Sequence, residues 1–222
     1  LFSILLLLDI FTIQFLSAQN NYPLKMAEQQ KVLYKITQNL STVENLKADF
    51  KQIRHMEVLM EPLVSEGVCY FEKPDKLRWE ITIPYHSILI YNANDIAKFD
   101  VRDNKIEKLN PGAKDLMREI LKQIIAWMQG DFTQAIDIYD LKIFKDEKYK
   151  LVLTPKSEKL GKSIRSIEMA FNADLQNISS VRINESGKNY IKIEFLNEKN
   201  EIILDNQIFD LNQPVLIPKS IH

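Results

Sequence analysis

Hydrophobic and polar residues alternate along most of this chain, most regularly between positions 77 and 83. There, Leu77, Trp79 and Ile81 alternate with polar side chains. A period of two is typical of a β-strand that has one buried face. Similar alternation recurs along the chain and predicts about ten or eleven strands, at positions 46–50, 68–73, 77–83, 87–91, 95–101, 105–109, 139–143, 149–153, 167–171, 181–183 and 191–195.

The segments between these strands are short and contain turn-forming residues, as in Ser186-Gly187-Lys188. Parallel strands need crossover connections of roughly a dozen or more residues, so short turns favour antiparallel pairing. Each strand has one apolar face, and we therefore expect one face of the sheet to be covered. The sequence predicts a mainly β protein built on one antiparallel sheet.

Two segments follow a helical period instead. The first runs from about Lys25 to Gln38, and the second begins near Lys114 and ends before Gly130, a natural residue for the left-handed end of a helix. Two amphipathic helices are too few for a separate domain, but they can cover a curved sheet. We therefore predict a single domain over residues 19–222, which is long enough to bury a sizeable core.

The first 18 residues, LFSILLLLDIFTIQFLSA, form an apolar run that ends in small side chains. This pattern is typical of a secretory signal peptide, and we predict cleavage near Ala18-Gln19. An uncleaved membrane anchor is the alternative, but Asp9 lies within the run and a carboxylate is costly inside a bilayer. The pattern predicts export across a membrane.

Composition excludes several functional classes. The chain has 29 basic and 30 acidic residues, whereas nucleic-acid-binding proteins usually carry a basic excess. Its five glycines form no phosphate-binding motif. Its single cysteine, Cys69, excludes an internal disulfide, a cysteine-based zinc site and an iron–sulfur cluster. Cys69 lies in a strand pattern and is expected to be a small buried hydrophobic residue.

Catalytic motifs are also missing from the sequence. His55, His86 and His222 have no second histidine or cysteine at metal-ligand spacing, and neither G-x-S-x-G nor H-E-x-x-H occurs. We predict that the protein is not an enzyme, that it has no catalytic or metal-binding residues and that it needs no cofactor. A hydrolase whose site is assembled from scattered acids is the alternative left open at this point.

A series of short motifs in the middle of the chain has a recognisable order. The motifs are Phe50-Lys51-Gln52, Gly67, Lys73-Pro74, Leu77-Arg78-Trp79, Pro84-Tyr85 followed by an aliphatic run, Leu151-Val152-Leu153-Thr154-Pro155-Lys156 and Phe209-Asp210-Leu211. Each is weak alone, but their order and spacing between positions 40 and 214 are fairly specific. In this region the chain resembles the periplasmic outer-membrane lipoprotein carrier family (LolA-like).

This resemblance implies an unclosed, curved antiparallel sheet, or half-barrel, with helices that act as a lid over an apolar cavity. It implies a carrier that binds the acyl chains of lipidated proteins in the periplasm and ferries them toward the outer membrane. The implied partners are an inner-membrane lipoprotein-releasing complex and an outer-membrane receptor, and we expect a monomer. The alternative is a lipid- or lipoprotein-sensing module on the same fold that acts through a protein partner.

Candidate binding residues follow from the strand and helix patterns. The cavity candidates on the sheet are Phe50, Leu77, Trp79, Ile81, Leu89, Tyr91, Phe99 and Leu151, and those on the lid helix are Leu116, Ile120, Ile124 and Trp127. Ordinary core packing is the alternative for each of them. We expect the lid to hinge at Gly112 and Gly130. Lys73 stands where the family carries an arginine linked to cargo transfer, and lysine keeps that charge without the planar fork.

Overall fold

The computed structural model describes residues 22–93, 95–102, 105–109 and 114–216, without the side chains of residues 109 and 114–116. Helices and strands follow one another in the order α1 (Met26–Ser41), β1 (Asn45–His55), β2 (Leu63–Glu72), β3 (Lys76–Ile83), β4 (His86–Asn92), β5 (Asp95–Arg102), β6 (Lys105–Leu109), α2 (Lys114–Met128), α3 (Thr133–Ile138), β7 (Tyr139–Lys145), β8 (Tyr149–Pro155), α4 (Glu158–Gly161), β9 (Ile164–Phe171), β10 (Ile178–Glu185) and β11 (Tyr190–Asn200). A 3₁₀ helix, Asn206–Phe209, follows β11.

All eleven strands form one sheet in the order β6-β5-β4-β3-β2-β1-β11-β10-β9-β8-β7. Every neighbouring pair is antiparallel. The sheet consists of two meanders, β1–β6 and β7–β11, which the pairing of β1 with β11 joins. It ends at β6 and β7 and is not closed. The prediction of a mainly β, unclosed antiparallel sheet with helices is confirmed.

The helices differ in part from the prediction. Helix α1 extends three residues beyond the predicted Gln38, while α2 ends as expected just before Gly130. Helices α3 and α4, of six and four residues, were not predicted because such short segments cannot establish a helical period. The predicted signal peptide and Gly112 lie outside the described residues.

Helix α1 covers one end of the sheet. Its buried residues Val32, Ile36 and Leu40 are spaced by four and lie on one side of the helix. The edge strand β7 is bound here as well: the Leu24 amide donates to the Ile143 carbonyl at 2.8 Å, and the Ile143 amide donates to Oε1 of Gln29 at 2.9 Å. These bonds occupy backbone groups that an open sheet edge would otherwise expose.

The sheet has an inner face, which the helices cover, and an outer face. Two hydrophobic clusters lie on the inner face, one centred on α1 and β7–β9 and the other on β1–β5 and α2. A third cluster lies on the outer face of β2–β5, where the C-terminal segment with Ile208 and Phe209 packs. At β2–β5 both faces of the sheet are therefore covered, whereas only one covered face was expected.

This third cluster corrects the predicted position of Phe99. Ile96 belongs to the inner face of β5, and Phe99, three residues later, lies on the opposite face. Phe99 is buried against the C-terminal segment and does not line the space between sheet and helices. Since β5 carries apolar residues on both faces, hydrophobicity alone did not reveal which face would meet the helices.

Candidate functional site: an apolar cavity between the sheet and helix α2

A cavity of about 260 Å³ lies between the inner face of the sheet and the helices. Its lining is almost entirely apolar. The helical side, with the turn after α1, contributes Leu40, Val43, Leu121, Ile124, Trp127 and Met128. The sheet contributes Leu46, Phe71, Leu77, Trp79, Leu89, Ile167, Met169, Ile178, Val181, Ile183, Ile193 and Phe195, and the polar lining residues are Gln52, Asn177 and Glu198.

Strand pairing brings the two halves of this lining together. Phe50 of β1 faces Phe195 of β11 in the register of the joining pair. The ring of Trp79 stacks on Phe50, with centroids 4.1 Å apart, and meets Phe195 edge-on at 6.1 Å. Within this aromatic group at the junction of the two meanders, Trp79 and Phe195 line the cavity, and Phe50 stacks on Trp79.

The structure brings five of the predicted binding residues to the cavity wall: Leu77, Trp79, Leu89, Ile124 and Trp127. Phe50, Ile81 and Tyr91 pack in the same inner-face cluster without lining the cavity. Leu151 packs in the other inner-face cluster, around α1. Whether these residues contact a ligand stays a prediction.

The side of helix α2 that faces the sheet matches the prediction only in part: Ile124 and Trp127 line the cavity, but Ile120 does not. Ile120 is 51% exposed, whereas Leu121 and Ile125 are 6% and 4% exposed. The side chain of Leu116 lies outside the described atoms. Nine of the fifteen residues of α2 are apolar, so two neighbouring stripes fit a helical period equally well. The placement of Ile120 on the inward stripe is wrong.

The end of α2 is fixed by Gly130. Its φ of +76° belongs to the left-handed region, and the following amide of Asp131 donates to the Ala126 carbonyl at 2.8 Å, closing the helix. A Cβ at position 130 would lie 2.7 Å from the carbonyl oxygen of Thr37 in α1. The predicted hinge glycine thus lies at a close contact between the end of α2 and α1.

Lys73 directly follows β2 and lies beside the end of helix α1. Its Nζ donates to the carbonyl of Ser41, the last residue of α1, and to Oε1 of Glu44 at 3.1 Å. Its backbone amide donates to the Glu44 carbonyl at 2.9 Å. A cation at a helix C-terminus interacts favourably with the helix dipole. Lys73 therefore ties the end of α1 to the sheet.

Cys69 lies on the inner face of β2 and is fully buried. Burial raises the pKa of its thiol to about 12. Since the thiolate is the reactive form, we expect native protein at about pH 8 to resist iodoacetamide and the thiol to react only after unfolding. Mass spectrometry of native and denatured samples tests this. Equal alkylation of both samples would contradict the burial of Cys69.

The described part of the chain was also searched for a metal site and for a membrane-spanning helix. Among residues 22–93, 95–102, 105–109 and 114–216, no group of three or more His, Cys, Asp or Glu side chains gathers as around a metal ion. Within the same ranges, no helix combines the length and the apolarity that crossing a membrane requires.

Several solved structures have a similar fold. A chain of the Pseudomonas aeruginosa MucA/MucB complex matches with a TM-score of 0.50 and 11% sequence identity, over 86% of this chain and 64% of that chain. A LolA superfamily protein from Nitrosomonas europaea matches with a TM-score of 0.41 and 9% identity, over 82% of this chain and 97% of that chain. At such identities the likeness concerns the fold alone.

Sequence comparison identifies a relative and a family in addition to the fold. The outer-membrane lipoprotein carrier protein of Methylococcus capsulatus is 25% identical over 177 residues, which cover 79% of this chain and 80% of that protein. The family model of the outer membrane lipoprotein carrier protein LolA matches residues 41–212, a range that includes the motifs from Phe50 to Leu211. This is a family of carriers, which supports the prediction that the chain is not an enzyme. The chain belongs to the outer membrane lipoprotein carrier (LolA) family.

Proposed function

We propose that this protein is a periplasmic carrier that binds the acyl chains of lipoproteins in the cavity under α2 and ferries them toward the outer membrane. The observation that supports this most directly is the apolar cavity between sheet and helix in a chain of the lipoprotein carrier family. Burying each CH₂ group of an acyl chain contributes about 0.8 kcal/mol. Such a lining holds a hydrocarbon chain without polar contacts.

The size of the cavity argues that the lid moves on loading. At about 260 Å³ it lies below the range of roughly 300–1,000 Å³ typical of pockets for drug-sized ligands. A long acyl chain therefore needs more space than the present arrangement of α2 leaves. We expect cargo to displace α2 and to contact the inner-face side chains that Leu121 and Met128 now cover.

Export, partners and oligomeric state complete the proposal. The N-terminal apolar run and the carrier relative support a periplasmic location. An inner-membrane releasing complex and an outer-membrane receptor would load and unload a monomer. Lys73 would take part in cargo transfer, because it holds the end of α1, the helix that the end of α2 contacts at Gly130.

A pair of neighbouring substitutions in α2 tests the cavity. Leu121→Glu should reduce loading of a lipidated peptide about tenfold or more, because it places a charge against an apolar lining. Ile120→Glu is the matched control: its side chain is half exposed, and loading should stay within about twofold of the unmodified protein. Loading is measured by co-purification and mass spectrometry of the bound peptide.

The two variants must be compared in their folded states, so thermal unfolding is recorded for each. The uncharged Leu121→Gln variant provides a second measurement if Leu121→Glu melts early, and it should also load poorly. If folded Leu121 variants load as well as Ile120→Glu, acyl chains do not enter beneath α2. The carrier proposal would then lose its main support.

A sensing module that acts through a protein partner is the second candidate. The fold it shares with a chain of the MucA/MucB complex accommodates a protein partner, but that likeness concerns the fold alone. Family membership favours the carrier. Deletion separates the two: loss of a carrier should mislocalise lipoproteins, whereas loss of a sensor should change only a cellular response.

A further inference from the structure

Strand β11 contains an irregularity at the point where it passes the cavity. Lys47 of β1 pairs with Lys199 and Asp49 pairs with Leu196, so β11 has one extra residue between these pairs. Asn197 lies within this bulge with φ of +53°, and its Nδ2 donates to Oδ2 of Asp49 at 2.8 Å. Bulges often redirect side chains beside functional sites.

The bulge turns Glu198 toward the cavity. Ile193 and Phe195 point to the inner face, and regular alternation would place position 198 on the outer face. The extra residue reverses the alternation, and Glu198 therefore lines the cavity with Ile193 and Phe195. A carboxylate has been directed into a space that is otherwise almost entirely hydrocarbon.

Several polar and charged groups lie around Glu198 where it lines the cavity. Burial raises the pKa of its carboxyl group and the charge of Asp174 acts in the same direction, while the Asn177 side chain and the charge of Lys148 act in the opposite direction. Asn177 is itself held in place, because its backbone amide donates to Oδ1 of Asn172 at 3.0 Å. The pair is therefore positioned by the turn between β9 and β10.

The polar atoms at this end favour a hydrogen-bond donor. Glu198 offers carboxylate oxygens, and Asn177 beside it adds a side-chain amide oxygen to the lining. None of the described side chains lining the cavity is Lys, Arg or His. A ligand group with an N–H would find acceptors here, whereas an anionic group would face the Glu198 carboxylate, since the nearby cation Lys148 is not among the lining residues.

We propose that Glu198 and Asn177 form a polar subsite that takes the amide end of an acylated ligand and rejects the carboxylate of a free fatty acid. This inference rests on the proposed function, since it assigns a head-group preference to the acyl-chain cavity. The acyl chain supplies affinity through burial, and Glu198 supplies discrimination between ligands that share the same chain.

Two ligands that differ only in their head group test the subsite. Lauric acid and N-methyl-lauramide displace a fluorescent dye from the protein at about pH 8, where the acid is ionised. The amide should bind about tenfold more tightly than the acid to the unmodified protein. Glu198→Gln keeps the size of the side chain and should raise the affinity for the acid about tenfold, with the amide changed by less than about twofold.

Glu194→Gln is the matched control. Glu194 lies on the same strand but on the outer face, where it pairs with Lys192 at 2.6 Å, and its substitution should leave both affinities unchanged. If the unmodified protein binds acid and amide equally, or if Glu198→Gln leaves their ratio unchanged, the subsite is wrong and the carrier proposal stands. If neither ligand binds any of the proteins, the proposed function itself fails.

Discussion

Replacing Arg78 with methionine is expected to lower the free energy of unfolding by about 3–5 kcal/mol, because the buried carboxylate of Glu80 loses its arginine and keeps only His86, 2.6 Å from its Oε1, as a side-chain partner. Arg78 is fully buried, and its Nε and Nη2 donate to Oε2 of Glu80 at 2.9 and 2.7 Å. Nη1 and Nη2 also donate to the carbonyls of Ile208 and Val215 at 2.9 and 2.8 Å. Denaturant unfolding measures the loss, and proteolysis should cut the released C-terminal segment sooner.

Arg102→Met is the matched control. Its guanidinium is 80% exposed and lies 3.6 Å from Asp100, so the change in unfolding free energy should stay within about 0.5 kcal/mol. The double variant Arg78→Met/Glu80→Leu should recover part of the loss, since no buried charge remains unpaired. An Arg78→Met protein as stable as Arg102→Met would show that the C-terminal segment does not depend on this ion pair.

Replacing Gly67 with alanine is the second change with a large expected effect. A Cβ at position 67 would lie 1.9 Å from the carbonyl oxygen of Glu80 and 2.7 Å from Cζ of Phe50. Overpacking usually costs about 1–3 kcal/mol and occasionally more, and a clash with backbone cannot be relieved by a side-chain rotation. We expect a loss of about 3 kcal/mol or more in unfolding free energy, measured by denaturant titration.

Gly161→Ala provides the comparison for Gly67. A Cβ at position 161, in α4, would meet no atom within 4 Å, and stability should change by less than about 0.5 kcal/mol. If both alanine variants unfold at the same denaturant concentration, the close packing of β1, β2 and β3 around Gly67 is not required. The same clash explains why a glycine stands among the sequence motifs at this position.

The predicted strands are all present because alternation is a local property of each segment. A strand with one buried face must place apolar side chains at every second position, whatever its neighbours are. The order of the strands in the sheet, in contrast, is not a local property. The pairing of β1 with β11 joins opposite ends of the domain, and no local pattern in either strand identifies the other.

The binding residues were harder to predict than the strands. Leu77, Trp79 and Leu89 line the cavity as expected, because each lies on a strand whose alternation is clear. Glu198 was missed, because the predicted strand ended at position 195, whereas β11 continues to Asn200 and contains a bulge that turns Glu198 inward. Ile120 was placed on the wrong side of α2, since helical spacing fits two stripes and only contact with the sheet selects one.

The antiparallel sheet and the two longer helices could be predicted from local sequence alone, because hydrophobic periodicity is set by each segment's own side chains. Which polar residues are buried depends on contacts between distant parts of the chain. Arg78 alternates like a solvent-facing residue, yet the C-terminal segment covers it on the outer face. Burial of a charged group depends on partners supplied by distant parts of the chain, and those partners are fixed only when the whole sheet has assembled.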